Sequence, residues 1–219
     1  MEMPRLVHED PWLLVLVKPA GLLSQPGLGP AQTDSLITWV QCRWPEALLV
    51  HRLDRDTAGL MLVARDAKTH RCLSMAFAER RVRKTYLARV QGVPVARCGA
   101  IDLPMARIAT RPPRYGVVSE AHGGKPAFTR WRRLSTHRDP AGHWSTLVLQ
   151  PYTGRSHQLR VHLAWLGHPV LGDPLYGIRG GAATESPALR LQAAGLALRH
   201  PMTGVAQRWR ALPDWPGVD

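Results

Sequence analysis

The chain has 219 residues, 45% of them hydrophobic, which is enough to bury a full core in one large domain or two small ones. Its 29 basic residues exceed its 16 acidic ones, for a net charge of +13, and this points to a polyanionic partner. Cys42, Cys72 and Cys98 are odd in number and lack CxxC spacing, which argues against a disulfide framework or a zinc site and for a reducing cytoplasm. No run of about 18 apolar residues is present, and the N-terminal apolar run is short and carries Lys18, unlike a signal peptide.

Taken in chain order, Trp12 to Val17 reads as a buried strand, stopped by Lys18-Pro19-Ala20-Gly21. A Gly/Pro-rich loop, Pro26 to Pro30, follows it. Thr33 or Asp34 is expected to cap a short helix that runs to about Trp44. A charged turn, residues 51–59, leads into a strand at 60–64. Asp66 is placed to cap a helix ending near Arg80, with Ala67, Leu73, Ala76 and Phe77 inward. Lys84 to Val90 alternates with period two, as a half-buried strand does. Residues 103–126 contain Arg107, Arg111, Arg114 and Lys125 among four prolines and three glycines. They read as a long irregular excursion suited to clamping an RNA backbone. Ser145 to Leu149 is a strand, Ser156 to Leu166 a helix, and 191–199 and 207–212 are closing strands. Because successive strands are often not separated by helices, the fold class is mixed α/β (α+β), not a purely parallel doubly wound sheet.

The basic residues are 25 arginines and only 4 lysines. Guanidinium groups bind phosphate bidentately and stack on bases, which suits RNA. A GC-rich coding sequence would explain the ratio, but not the net charge. Neither a GxGxxG nor a Walker-type loop occurs, so no nucleotide cofactor is expected. His157 and His162 lie five apart and His51 opens the charged turn, yet no third and fourth ligand stands at a metal-binding spacing. These histidines are read as structural or RNA-contacting, with no metal. Most of the eight tryptophans are read as core.

Three segments carry chemistry. His51-Arg52-Leu53-Asp54, with Thr57 and Gly59 following, mounts a carboxylate at the mouth of a strand. A carboxylate that works while RNA excludes water must be held ionised against desolvation, and a buried guanidinium would do this. Thr153-Gly154-Arg155-Ser156-His157-Gln158-Leu159-Arg160 places Arg155 at a glycine turn before a helix; by itself this suits a phosphate-binding helix terminus better than a partner for a carboxylate. Lys84-Thr85-Tyr86 presents a phenol that is able to stack on a base or assist proton transfer, although a strand tyrosine alone is more often a core or rim residue.

These segments resemble the motifs of RluA-type pseudouridine synthases. Lys18-Pro19-Ala20-Gly21-Leu22-Leu23-Ser24 is similar to that family's KPxGLLS, Gly124-Lys125-Pro126-Ala127 to the segment before an aromatic strand, and Gly167 to Gly177 to GHPxxGDxxYG. The resemblance covers nearly the whole chain, in the family's order. It implies a single catalytic domain over 1–219 with a central, largely antiparallel mixed sheet, helices and loops on its flanks and a cleft across its middle. It also implies a cofactor-free isomerase that converts uridine to pseudouridine in structured RNA. The roles implied are Asp54 as catalytic carboxylate, Arg155 as its partner, Tyr86 as the residue stacking on the target base and Leu191 as an apolar floor. Arg52 is implied to fill the place of the flipped uridine, while Arg111 and Arg114 are read as backbone contacts. Gln192 stands where the family usually has histidine, and Ala58 where serine is usual. The first strand begins so early that no extra N-terminal RNA-binding domain is expected. This fits the compact branch, whose namesake acts on large-subunit (23S) ribosomal RNA and on a tRNA anticodon stem-loop. A monomer is expected. The alternatives are a tRNA-only synthase, a non-catalytic RNA-binding or ribosome-assembly protein, and a DNA-directed glycosylase. A pure binder has no need of Asp54 in a phosphate-rich cleft, and a glycosylase needs a water-activating group that the sequence does not display.

Overall fold

A computed structural model describes residues 2–27, 32–139, 142–177 and 188–215. Of the Gly/Pro-rich stretch 26–30, residues 28–30 lie outside the described residues. The chain is mixed α/β and its sheet is mixed and mostly antiparallel, as the uninterrupted successions of strands imply. It comprises two compact units, one formed by the segments up to Lys84 and from Gln192 onward, the other by Thr85–Leu191.

In the first unit, β1 (Arg5–Glu9) pairs antiparallel with β2 (Leu13–Lys18), which pairs antiparallel with β4 (Ala58–Ala64). The start of β4 meets β11 (Leu191–Arg199) in parallel, Gln192 opposite Ala58, while its end pairs with the short β3 (Leu48–Leu49). Strand β12 (Ala206–Arg210) closes on β11 antiparallel. Leu13 to Leu16 are wholly buried, as a continuous apolar run in a covered strand requires. Leu13, Val15, Leu60, Leu62, Leu73, Leu196 and Trp209 share one core.

Helix α1 (Leu36–Gln41) is capped by Ser35, not by Thr33 or Asp34. The Ser35 hydroxyl accepts from the Thr38 amide at 3.3 Å and Thr38 Oγ1 accepts from the Ser35 amide at 3.0 Å, a reciprocal box that neither earlier residue has the spacing to make. Helix α2 (Ala67–Ala78) begins where expected, with Asp66 accepting from the Thr69 amide at 2.8 Å.

In the second unit the strand order is β5 (Arg83–Gln91), β10 (Gly142–Pro151), β9 (Phe128–Asp139) and β6 (Cys98–Asp102), antiparallel throughout. Tyr86, opposite Leu149, lies against the core of Ala88, Val90, Trp131, Leu147, Leu149 and Leu191. Helix α3 (Gln158–Trp165) adds Leu159 and Leu163 to that core. Residues 103–126 are not irregular. They contain a separate hairpin, β7 (Met105–Thr110) with β8 (Pro113–Val117), whose prolines sit at or beside the turn and whose pairing is interrupted by a bulge between Arg107 and Ala109. Pro at a strand start or turn is compatible with pairing, so its presence did not exclude strand here.

No helix among the described residues is long and apolar enough to cross a membrane.

Candidate active site

The Asp54 turn is fixed by hydrogen bonds from the segment that ends β2. Lys18, with no exposed surface, donates from Nζ to the carbonyls of Pro19 at 2.8 Å, Leu22 at 2.7 Å and Arg55 at 2.8 Å, so each ammonium proton has an acceptor. Gly21, with φ +84°, donates its amide to the same Arg55 carbonyl at 3.0 Å. The Ser24 hydroxyl donates to the Leu53 carbonyl at 2.7 Å and accepts from the Leu53 amide at 3.0 Å. The Thr57 amide donates to the Asp54 carbonyl at 3.1 Å and closes the turn. The residues on both sides of Asp54 are therefore held by Lys18, Gly21 and Ser24.

Burial pushes the Lys18 ammonium down to about 8, and the negative charges of Asp56 and Asp54 oppose that fall. The lysine thus supplies a nearby positive charge to a half-buried carboxylate. Its motif was legible in the sequence but its role was not; a cation closing an apolar strand was the available signal.

Where β4 begins, Gly59 has φ +120°, and a Cβ there would fall 2.3 Å from the Ala193 carbonyl oxygen. Only glycine permits this approach of β4 to β11 directly after the Asp54 turn. His51 is a structural residue: its Nε2 accepts from the Leu62 amide at 2.9 Å, its ring stacks on Phe77 at 4.6 Å, and burial pushes its pKa down to about 3. Arg52, between these fixed residues, is exposed.

Arg155 sits on a loop organised by Gln158. The buried Gln158 side chain accepts at Oε1 from Thr153 Oγ1 at 2.7 Å and from the Arg155 amide at 3.0 Å. Its Nε2 donates to the Phe128 carbonyl at 3.1 Å and to Thr129 Oγ1 at 3.0 Å. Every hydrogen-bonding site of this amide is used, which fixes the loop against β9. The Arg155 guanidinium donates from Nε to the Pro126 carbonyl at 3.1 Å and is exposed, where the sequence reading expected a buried cation. A glycine turn projecting from the end of a strand carries its side chain outward, which accounts for the difference.

His157 adopts φ +56° at the start of α3, and its Nδ1 lies 2.8 Å from the Tyr176 hydroxyl. That hydroxyl also accepts from the Tyr115 amide at 2.9 Å, so Tyr176 joins the β7–β8 hairpin to the loop of Arg155. Asp173 supports this arrangement: it forms a buried bidentate pair with Arg160 at 2.8 and 2.7 Å and accepts from the amides of Leu175 and Tyr176. His162 is buried, with Nδ1 3.0 Å from Thr129 Oγ1 and Nε2 3.2 Å from the Leu103 carbonyl.

The loop arginines divide. Arg111 is exposed at the hairpin turn. Arg114 is half-buried, donates to the Leu175 carbonyl and lies 5.8 Å from the Tyr176 ring, so it braces the hairpin from within. Arg107 donates to the carbonyls of Ala109 and Thr110 in its own turn. Leu191 is buried in the cluster against which Tyr86 packs. Gln192 donates to the Ala211 carbonyl at 2.7 Å, a tie between β11 and the chain beyond β12. Among the described residues no group of three or more His, Cys, Asp or Glu is arranged to hold a metal ion.

A family model described as RNA pseudouridylate synthase matches residues 12–165. The dual-specificity RNA pseudouridine synthase RluA of Yersinia pestis is 42% identical over 211 residues, 96% of this chain and 99% of that protein. The protein of that name from Escherichia coli K12 is 39% identical over 210 residues, 96% of this chain and 93% of the relative. Among solved structures, human RNA pseudouridylate synthase domain containing 1 superposes with a TM-score of 0.81 at 28% identity, covering 97% of this chain and 84% of that one. With a family match over most of its length and relatives aligned nearly end to end, the chain belongs to the RNA pseudouridylate synthase family, isomerases that convert uridine to pseudouridine in RNA.

Proposed function

We propose that this enzyme modifies specific uridines in two kinds of RNA, a large-subunit ribosomal RNA and a tRNA anticodon stem-loop. The observation that carries this reading is identity of 39–42% over nearly the whole chain to relatives named dual-specificity RNA pseudouridine synthase. The excess of arginine supports an RNA substrate. In this reading the chain works as one catalytic domain over 1–219, a monomer, in the cytoplasm; its three free cysteines suit a reducing compartment.

Asp54 is the catalytic carboxylate. Its supports are its place in the HRLD segment and the fixed turn on which Lys18, Gly21 and Ser24 hold its neighbours. Arg155 is the guanidinium that favours the ionised carboxylate, and Tyr86 stacks on the target uracil above the apolar floor of Leu191. Arg52 occupies the place vacated by the flipped uridine, whose extrusion costs a few kcal/mol. Arg111 contacts the RNA backbone, and Arg114 holds the hairpin that presents it. The isomerisation breaks the N1–C1′ bond, turns the uracil and rejoins it through C5, with no net redox change and no group donor.

Pseudouridine mapping of total RNA with and without this gene tests the reading. Loss of sites in both ribosomal RNA and tRNA is expected. Loss in tRNA alone assigns a tRNA-only enzyme, and no loss at all overturns the catalytic assignment.

A further inference from the structure

An exposed aromatic cluster lies beside the Arg155 loop and is claimed by none of the motifs. Tyr152, immediately after β10, is 41% exposed although it is a large aromatic residue. Phe128 meets it edge to face at 5.3 Å, and the Arg130 guanidinium stands 5.1 Å from the Tyr152 ring and 5.9 Å from that of Phe128. The backbone beneath is pinned twice: Tyr152 donates its amide to the Phe128 carbonyl at 3.0 Å, and Phe128 donates its amide to Thr153 Oγ1 at 2.9 Å. Thr153 in turn donates to Gln158, the side chain that fixes Arg155.

We propose that Tyr152, backed by Phe128 and Arg130, is a stacking platform for one unpaired nucleotide flanking the uridine that is modified. The reasons are chemical. A π-face with an adjacent guanidinium is the surface on which an unstacked base settles, with its phosphate near the cation. A contact to phosphate alone would have no use for the ring, and a core residue would not be left open to solvent. A base inside a duplex offers its edge and not its face, so the occupant is unpaired. Tyr152 is three residues from Arg155, at most about 10 Å of extended chain, which places the platform near the guanidinium proposed to partner the catalytic carboxylate and so beside the uridine being modified. The inference rests on the proposed role of Arg155 and on RNA as substrate.

The experiment measures binding at one salt concentration to a stem-loop that contains the target uridine and to a fully paired duplex of equal length. Tyr152→Ala is expected to weaken stem-loop binding by about 5- to 150-fold and leave the duplex unaffected, while Tyr152→Phe binds as the native enzyme does. In a scan of single abasic substitutions around the uridine with native enzyme, one flanking position is expected to reproduce the loss, and to cause no further loss in Tyr152→Ala. Equal weakening of loop and duplex, or no flanking abasic position that matters to native enzyme, overturns the platform. The abasic scan depends on no variant and so decides even if a substitution disturbs the fold. Pseudouridine formation by native enzyme on the same stem-loop is read separately; its absence defeats the functional assignment, whereas a failed scan with normal turnover defeats only the platform.

Discussion

The ammonium of Lys18 donates to the carbonyl of Arg55 at 2.8 Å, across 37 residues of chain, and so ties the end of β2 to the residue following Asp54. The donor is buried and charged, the class of hydrogen bond whose loss is felt most. Lys18→Met removes it together with the bonds to Pro19 and Leu22, leaving carbonyl groups that had been satisfied. Each buried acceptor left unpaired costs about 1–3 kcal/mol, so the variant should melt at a clearly lower temperature. The pH dependence has a defined sign. Below pH 8 the lysine is charged in both folded and unfolded chains, and its burial is penalised in full. Between about 8 and the ordinary value of 10.5 the unfolded chain holds more protons, so the native protein gains stability relative to Lys18→Met as pH rises. Denaturant melts of both proteins at pH 7, 8.5 and 10 measure this; a gap that narrows with pH contradicts it.

His51 makes the opposite end of the pH scale informative. Its ring is held neutral because burial disfavours the charged form and because Nε2 must accept from Leu62. The folded value near 3 lies below the unfolded value of 6.5, so its contribution is fully present above 6.5 and is lost as pH falls toward 3. His51→Gln should flatten the acid limb of a stability-against-pH curve in that window. An unchanged limb would show that other groups govern acid unfolding.

For Asp54→Asn we expect turnover to fall by about 10³-fold or more, as removal of a reacting group generally does. RNA binding should persist or tighten, because a negative charge near phosphates has gone. Single-turnover rates at saturating enzyme, beside a filter-binding curve, make the comparison. Substantial residual turnover would sink the assignment of the catalytic carboxylate.

Exposure of Arg155 changes what its substitution should do. Arg155→Ala and Arg155→Lys should leave the melting temperature close to native, since neither strands a buried charge in the free protein. Both should nevertheless lose turnover, because a lysine cannot reproduce the planar, bidentate guanidinium. A lysine variant with normal rates would rule out the pairing role.

The arginines proposed to meet RNA should separate by salt dependence. Arg111→Gln should lower the slope of log affinity against log salt by about 0.7–0.9, the signature of one lost phosphate contact. Arg114→Gln should act mainly on stability, since its guanidinium is bonded to Leu175 and set on Tyr176. Arg52→Ala should leave the slope nearly unchanged but slow turnover by about 10- to 100-fold, the scale of an extrusion step worth a few kcal/mol. Normal turnover with weakened binding would make Arg52 a backbone contact instead.

The sequence alone determined the family motifs and most regular elements, because these depend on local pattern. The apolar run of β2, the cap at Asp66 and the alternation through Tyr86 are each written within a few residues. The hairpin β7–β8 was missed because prolines and glycines mark a turn and an irregular loop equally well, and only pairing of Met105 with Val117 distinguishes them. The cap at Ser35 was missed by one or two residues, since the reciprocal bond with Thr38 decides between adjacent candidates. Tertiary structure alone decided the uses of the polar side chains. Lys18 finds an acceptor 37 residues away, Gln158 reaches back 30 residues to Phe128, and Arg114 turns inward to Leu175. A buried donor must find an acceptor wherever the fold supplies one, and that partner is set by packing between elements, which no local periodicity records.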